Sequence, residues 1–104
     1  MRRFAMTEKA APYAGLMLHH DDHVALALTP LAPGDIARIK TSDGDRQVEI
    51  SEVIPRYHKF TVRALADQTP VLKGGEVIGI TTADVGSGCH LHTHNIKSIR
   101  YGVS

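Results

Sequence analysis

Apolar residues in this chain come in short runs, and turn-forming residues interrupt them before a helical face can build up. Leu16, Met17 and Leu18 form one run and positions 24–28 another, with the polar stretch His19-His20-Asp21-Asp22-His23 between them. Further runs fall at 36–39, 48–50, 60–62, 71–72, 76–82 and 91–96. Pro30, Pro33-Gly34, Gly74-Gly75 and Gly86-Ser87-Gly88 punctuate them, and Asp43-Gly44 reads as a hairpin turn because Gly accepts positive φ there. Short runs rich in β-branched residues, separated by Gly and Pro, predict strands. The expectation is a compact, mainly β domain with at most one or two short helices, the helical candidate lying at 62–67. Imperfect alternation over 76–82 predicts strands buried on both faces. No internal repeat or low-complexity tract stands out. Residues 1–14 mix charge, Ala and Pro12 without period and predict a loose N-terminal arm, leaving 15–104 as a single domain.

Composition narrows the class. A chain of 104 residues is of single-domain size, and 42% apolar with 22% charged residues is a globular balance. With two Phe, three Tyr and no Trp, aliphatic side chains must fill the core. Twelve Lys and Arg against eleven Asp and Glu give a net charge of +1, which argues against nucleic acid or anionic lipid as the main partner. Cys89 is the single cysteine, so an intrachain disulfide and a Cys-rich zinc module are both excluded. A reduced, cytoplasmic setting fits. No run approaches the ~20 apolar residues of a membrane helix, and none of signal-peptide length follows Arg2-Arg3.

The unusual number is seven His, three of them at 90, 92 and 94. In an extended strand, a period of two puts His90, His92 and His94 on one face. Neighbouring members would then stand roughly 6.6 Å apart at Cα, and the outer two roughly 13 Å apart. A metal centre built on them therefore uses two of the three plus an outside ligand, either His58 or one of His19, His20 and His23. A solvated strand face, an anion-binding wall and an adventitious nickel site are the competing readings. His58 and Lys59 are adjacent, so on a strand they face opposite ways, and Lys59 is a point charge suited to a carboxylate. The 19–23 stretch reads as a polar turn ahead of a metal loop. Lys73-Gly74-Gly75-Glu76 lacks phosphate-loop spacing and reads as a tight turn entering a strand. Cys89 reads as a small buried hydrophobe.

Five segments in order carry a resemblance. Asp22-His23-Val24-Ala25, Pro55-Arg56-Tyr57-His58-Lys59, Lys73 to Gly79, Asp84-Val85-Gly86-Ser87-Gly88 and Leu91-His92-Thr93-His94-Asn95 follow one family pattern. That pattern reads Asp-Asn-Val-Ala, Pro-x-Gly-His-Lys, Lys-Tyr-Gly-x-x-Ile-Gly, Asp-Ile-x-x-Gly and Val-His-x-His-Asn. The chain resembles the SAF (β-clip) domain of the altronate and galactarate dehydratase family, which in some relatives is a separate small subunit, as in sulfolactate sulfo-lyase. The resemblance runs from about residue 16 to residue 96. Departures are His23 for Asn, Tyr57 for a Gly that accepts positive φ, Phe60 for an aliphatic residue and Gly74 for Tyr.

The resemblance implies part of a lyase acting on hydroxylated carboxylic acids, inactive alone and completed by a separate large dehydratase subunit. By matching position it implies catalytic roles for His92, His94 and His58, and substrate contacts for Lys59 and Asn95. It also implies a divalent metal ion (iron, manganese or zinc), for which His90, His92 and His94 of the string are the candidate ligands. The ligand would be a small hydroxy-carboxylate. Self-association is expected where the isolated chain leaves a partner-facing surface bare. Three readings compete: a carboxylate- or carbohydrate-binding module, a scaffold without chemistry, and a small metal carrier.

Overall fold

The computed structural model describes residues 12–99, and within them it is built of strands and turns with no helix. The strands are β1 (Gly15–Leu16), β2 (Val24–Ala27), β3 (Ile36–Thr41), β4 (Gly44–Glu49), β5 (Lys59–Thr61), β6 (Pro70–Lys73), β7 (Glu76–Thr81), β8 (His90–Leu91) and β9 (Ile96–Ser98). They form a six-stranded sheet in the order β4-β3-β1-β2-β5-β8 and a three-stranded sheet in the order β6-β7-β9. All pairings are antiparallel except β1 with β3. The predicted hairpin forms at β3–β4, where Thr41 pairs with Gly44. Most of the expected arm lies outside the described residues. Of its last members, the Tyr13 hydroxyl donates to Asp45 Oδ1 at 2.7 Å and the Ala14 amide to the Arg38 carbonyl at 2.8 Å. Both are tied to the β3–β4 hairpin.

Two apolar clusters hold the molecule. The larger contains Met17, Ala25, Ala27, Ile39, Ile50, Ile54 and Phe60; the smaller contains Val24, Leu65, Val71, Val85 and Leu91. Strand β2 is the wall between them, because alternation sends Ala25 and Ala27 to one and Val24 to the other. Two-sided burial thus occurs in β2, whereas over 76–82, where imperfect alternation predicted it, only Gly79 and Thr81 are buried. Phe60 is fully buried, worth roughly 2–3 kcal/mol, and its ring lies where a Cβ on Gly15 would stand, 2.9 Å from Cζ. Only glycine at 15 admits that ring.

The helix expected at 62–67 does not form. Val62 and Leu65 are both buried, but the Val62 amide donates to the His23 carbonyl and Leu65 exchanges both bonds with Val85 in an isolated bridge. A spacing of three apolar positions was met by a corner instead of a helical turn.

That corner belongs to a set the sequence did not reveal. Leu31 bridges Ile54 and Leu65 bridges Val85. Each of these four residues is followed by a four-residue corner, at 32–35, 55–58, 66–69 and 86–89, leading directly into β3, β5, β6 and β8. The third corner residue has positive φ every time: Gly34 at 93°, Tyr57 at 70°, Gln68 at 64° and Gly88 at 73°. That is the i+2 position of a type II turn. At Gly88 glycine is doubly required, since a Cβ would run into the Glu49 carbonyl oxygen. The chain thus contains an internal repeat of backbone shape, hidden because its four copies share an apolar first residue and little else.

Candidate functional site

His58 closes the second corner, and its carbonyl accepts the Ala27 amide at 2.9 Å. In the β5–β8 pair, Phe60 stands opposite His90 and Lys59 opposite Leu91. Opposed residues share a face, so His58, Phe60 and His90 lie on one side and Lys59 and Leu91 on the other. The imidazoles of His58 and His90 meet, with Nδ1 of the first 2.8 Å from Nε2 of the second.

The strand expected over 91–96 stops at Leu91, and residues 92–95 form a turn. Asn95 makes the turn. Its Oδ1 accepts the His92 amide at 2.9 Å, its Nδ2 donates to the His90 carbonyl at 2.8 Å, and its own amide donates to the His92 carbonyl at 3.0 Å. An Asn side chain that satisfies backbone groups locally replaces the strand partner they would otherwise need. Curling the chain brings the rings closer than an extended strand allows. The His92 ring stacks on His58 at 4.9 Å and on His90 at 5.3 Å, and the His94 ring tilts against His90 at 5.5 Å.

One nitrogen from each of His58, His90 and His92 lies within 4.8 Å of the other two. Three imidazole nitrogens so grouped are a donor set for iron or zinc, with metal–nitrogen bonds of about 2.0–2.1 Å for zinc. The donor set therefore fits a divalent metal. Burial first, then the neighbouring His58, His92 and His94, push the His90 pKa down, while Glu52 opposes them. A lowered pKa keeps that ring neutral, as a ligand or proton acceptor needs.

On the other side of β5 is a cavity of about 300 Å³ lined by Lys59, Lys73, Ile78, His92, Thr93, Ile96 and Ser98. His92 belongs to both places. His58 and Lys59 do face opposite ways, yet both reach the site, because His92 curls around the end of the pair.

Of the residues expected here, His58, His90 and His92 converge. His94 touches His90 from outside that trio, Lys59 lines the cavity, and Asn95, only 8% exposed, is occupied in the turn. Two residues escaped sequence reasoning. Glu52 accepts the His90 amide at 3.0 Å, brought there by the 51–52 loop running along 87–90. Lys73 reaches the cavity from the end of β6.

The 19–23 stretch is a polar turn, as predicted. The buried Asp22 carboxylate accepts the amides of His19, Gly74 and Gly75 at 3.1, 2.7 and 2.9 Å, fixing the β6–β7 turn beside Lys73. His23 Nδ1 accepts the Leu72 amide at 2.9 Å. His19, His20 and Asp21 also bring ligand atoms together, on the surface. Cys89 packs against the smaller cluster, and burial, then Glu52, push its thiol pKa up, which suits a packing residue.

An all-strand fold of linked corners that sets imidazoles beside a lysine-lined cavity is a small β domain carrying a polar site. The chain belongs to the altronate/galactarate dehydratase SAF domain family, which it matches over residues 13–99. It is 34% identical over 83 residues to altronate dehydratase of Escherichia coli and 28% identical over 83 residues to that of Bacillus subtilis. Each match takes in 80% of this chain and 16% of the relative, so the chain spans about a sixth of those enzymes. It is also 38% identical over 64 residues to (2R)-sulfolactate sulfo-lyase subunit alpha of Paracoccus pantotrophus, covering 61% of this chain and 96% of that subunit. Among the described residues, no helix is long and apolar enough to cross a membrane.

Proposed function

We propose that the chain is the small subunit of a hydro-lyase that dehydrates a sugar acid or hydroxy acid, such as altronate or galactarate, together with a separate large catalytic subunit. The observation that carries this reading is His92, which lies in both the imidazole cluster and the lysine-lined cavity. Such a reaction removes the proton beside a carboxylate while a β-hydroxyl leaves. Lys59 is placed to neutralise the carboxylate, and His92 reaches the same cavity as the group that takes or returns a proton. Behind it, the His58 and His90 nitrogens at 2.8 Å share one hydrogen, so one ring donates while the other accepts. His94, against His90, is a second group for proton transfer. Asn95 holds the turn that orients His92. A divalent ion held by His58, His90 and one of the two rings His92 and His94 would supply positive charge for the electron density developing next to the carboxylate, leaving the other ring for proton transfer.

The subunit arrangement is supported by the near-complete coverage of a named lyase subunit. That same coverage favours a second reading, a sulfolactate sulfo-lyase small subunit with sulfite as leaving group. Affinity purification from the host should recover a larger chain in equal stoichiometry. In the reconstituted pair, His92→Ala or His94→Ala should abolish turnover on a panel of hydroxy and sulfo acids. Near-normal turnover by either variant overturns the reading.

A further inference from the structure

The turn ahead of β2 gathers a second set of ligand atoms. His19, His20 and Asp21 each bring one within 4.8 Å of the other two, and they share no residue with the group of His58, His90 and His92. The three precede Asp22, where the first family segment begins. The His19 and His20 rings stack, with centroids 4.4 Å apart and planes inclined by 24°. His20 Nε2 lies 3.4 Å from Asp21 Oδ2. His19 Nδ1 accepts the Asp21 amide at 3.2 Å, so that nitrogen holds a lone pair, which an ion can take over from so long a bond.

Exposed side chains spread into water, and gathering three of them costs rotamer entropy. In this turn the backbone beneath them is fixed. The buried Asp22 carboxylate accepts the His19 amide at 3.1 Å, and the Asp22 amide donates to the His19 carbonyl at 3.0 Å. The Arg63 guanidinium donates to the carbonyls of Asp21 and Asp22 at 3.2 and 3.0 Å. The half-buried His19 ring lies over Gly75, where a Cβ would stand 3.2 Å from its Cδ2. The two carboxylates of Asp21 and Asp22 outweigh that one guanidinium and leave the turn attractive to a cation.

We propose that His19, His20 and Asp21 form a second metal site, which takes a divalent transition-metal ion of the zinc class through two imidazole nitrogens and one carboxylate oxygen. These are zinc donors, and three protein ligands leave one tetrahedral position open. Nickel suits imidazole as well, whereas magnesium and calcium prefer all-oxygen shells. The site depends neither on the lyase reading nor on the other imidazole group.

Zinc chloride titrated into the nitrogen-15-labelled full chain tests this, read from the imidazole nitrogens by NMR. His19 and His20 should shift together in one saturating step, and magnesium chloride should leave them unmoved. His20→Ala and Asp21→Asn, both surface changes, should each weaken that step at least about tenfold, the scale of losing even a partner behind a ligand. The response of His58, His90 and His92 should stay. A peptide of residues 18–22 with blocked ends carries the same donors without the fold that holds them, and should bind zinc about tenfold more weakly than the chain. Amide spectra unchanged away from the turn show that the variants fold. Absence of a saturating step at His19 and His20 overturns the proposal, as does a step that survives both substitutions. Equal affinity of chain and peptide also overturns it, and means an adventitious ion only.

Discussion

Nδ1 of His58 and Nε2 of His90, from segments 32 residues apart, lie 2.8 Å from each other. A bound ion would replace the shared hydrogen with two coordinate bonds, and the stacked His92 completes three donors. Removing His58 should therefore weaken cobalt(II) binding at least about tenfold, the scale seen even for partners behind a ligand. His94→Ala should weaken it less. Cobalt absorption titrations of both variants measure this, and a reversed order would make His94 the third ligand.

Tyr57 has φ of 70° and is 59% exposed, with the Arg56 guanidinium over its ring at 4.7 Å. A left-handed conformation at a residue bearing a side chain costs roughly 1–2 kcal/mol. Tyr57→Gly should raise the urea midpoint, with a gain of about 1 kcal/mol after the entropy of the new glycine is counted. A fall in stability would mean that the ring contributes more than the backbone loses.

His23 gives the molecule a pH dependence of known sign. Burial first, then Arg63, hold its pKa below the ordinary 6.5, and Asp22 only partly opposes them. Its Nδ1 must stay unprotonated to accept the Leu72 amide. The unfolded chain therefore binds the proton more readily, and this contribution to stability, complete above 6.5, is lost as pH falls toward the folded value. His23→Asn keeps an acceptor oxygen and should flatten that part of the curve between pH 7 and 5. Urea denaturation at several pH values tests it, and an unchanged slope would assign the dependence elsewhere.

Asp22 should be among the least replaceable residues. Asp22→Ala strips acceptors from three backbone amides in a buried setting, at a cost on the order of 3 kcal/mol. Hydrogen exchange should show Gly74 and Gly75 opening before the β3–β4 hairpin. Uniform loss of protection would count against a local role.

Much of the fold was legible because Gly and Pro punctuate the chain at nearly every turn the structure makes. What stayed hidden was conformational or distant. The four corners are alike in φ while two of them use Tyr57 and Gln68 where glycine would be expected. His90, His92 and His94 were visible as a string, but the period of two assumed an extended chain. A single side chain, Asn95, bends it. His58 was foreseen as one of several outside ligands, and only pairing of β5 with β8 selects it over His19, His20 and His23. Glu52 arrives through a long-range contact and carries no local signal; Lys73 opens a family segment, yet only its long-range placement puts it in the cavity.

Phe60 seated over Gly15 has a meaning beyond packing. Strand β5 is three residues long, with His58 just before it and Lys59 at its start. A slip of one position would trade their faces, pushing an ammonium among the imidazoles and an imidazole into the lysine-lined cavity. So short a ladder holds its register weakly by itself. A bulky ring that fits only over a residue without a side chain works as a key in a keyway, indexing the strand. The chemical identity of each side of the site is thus set by a contact that touches neither.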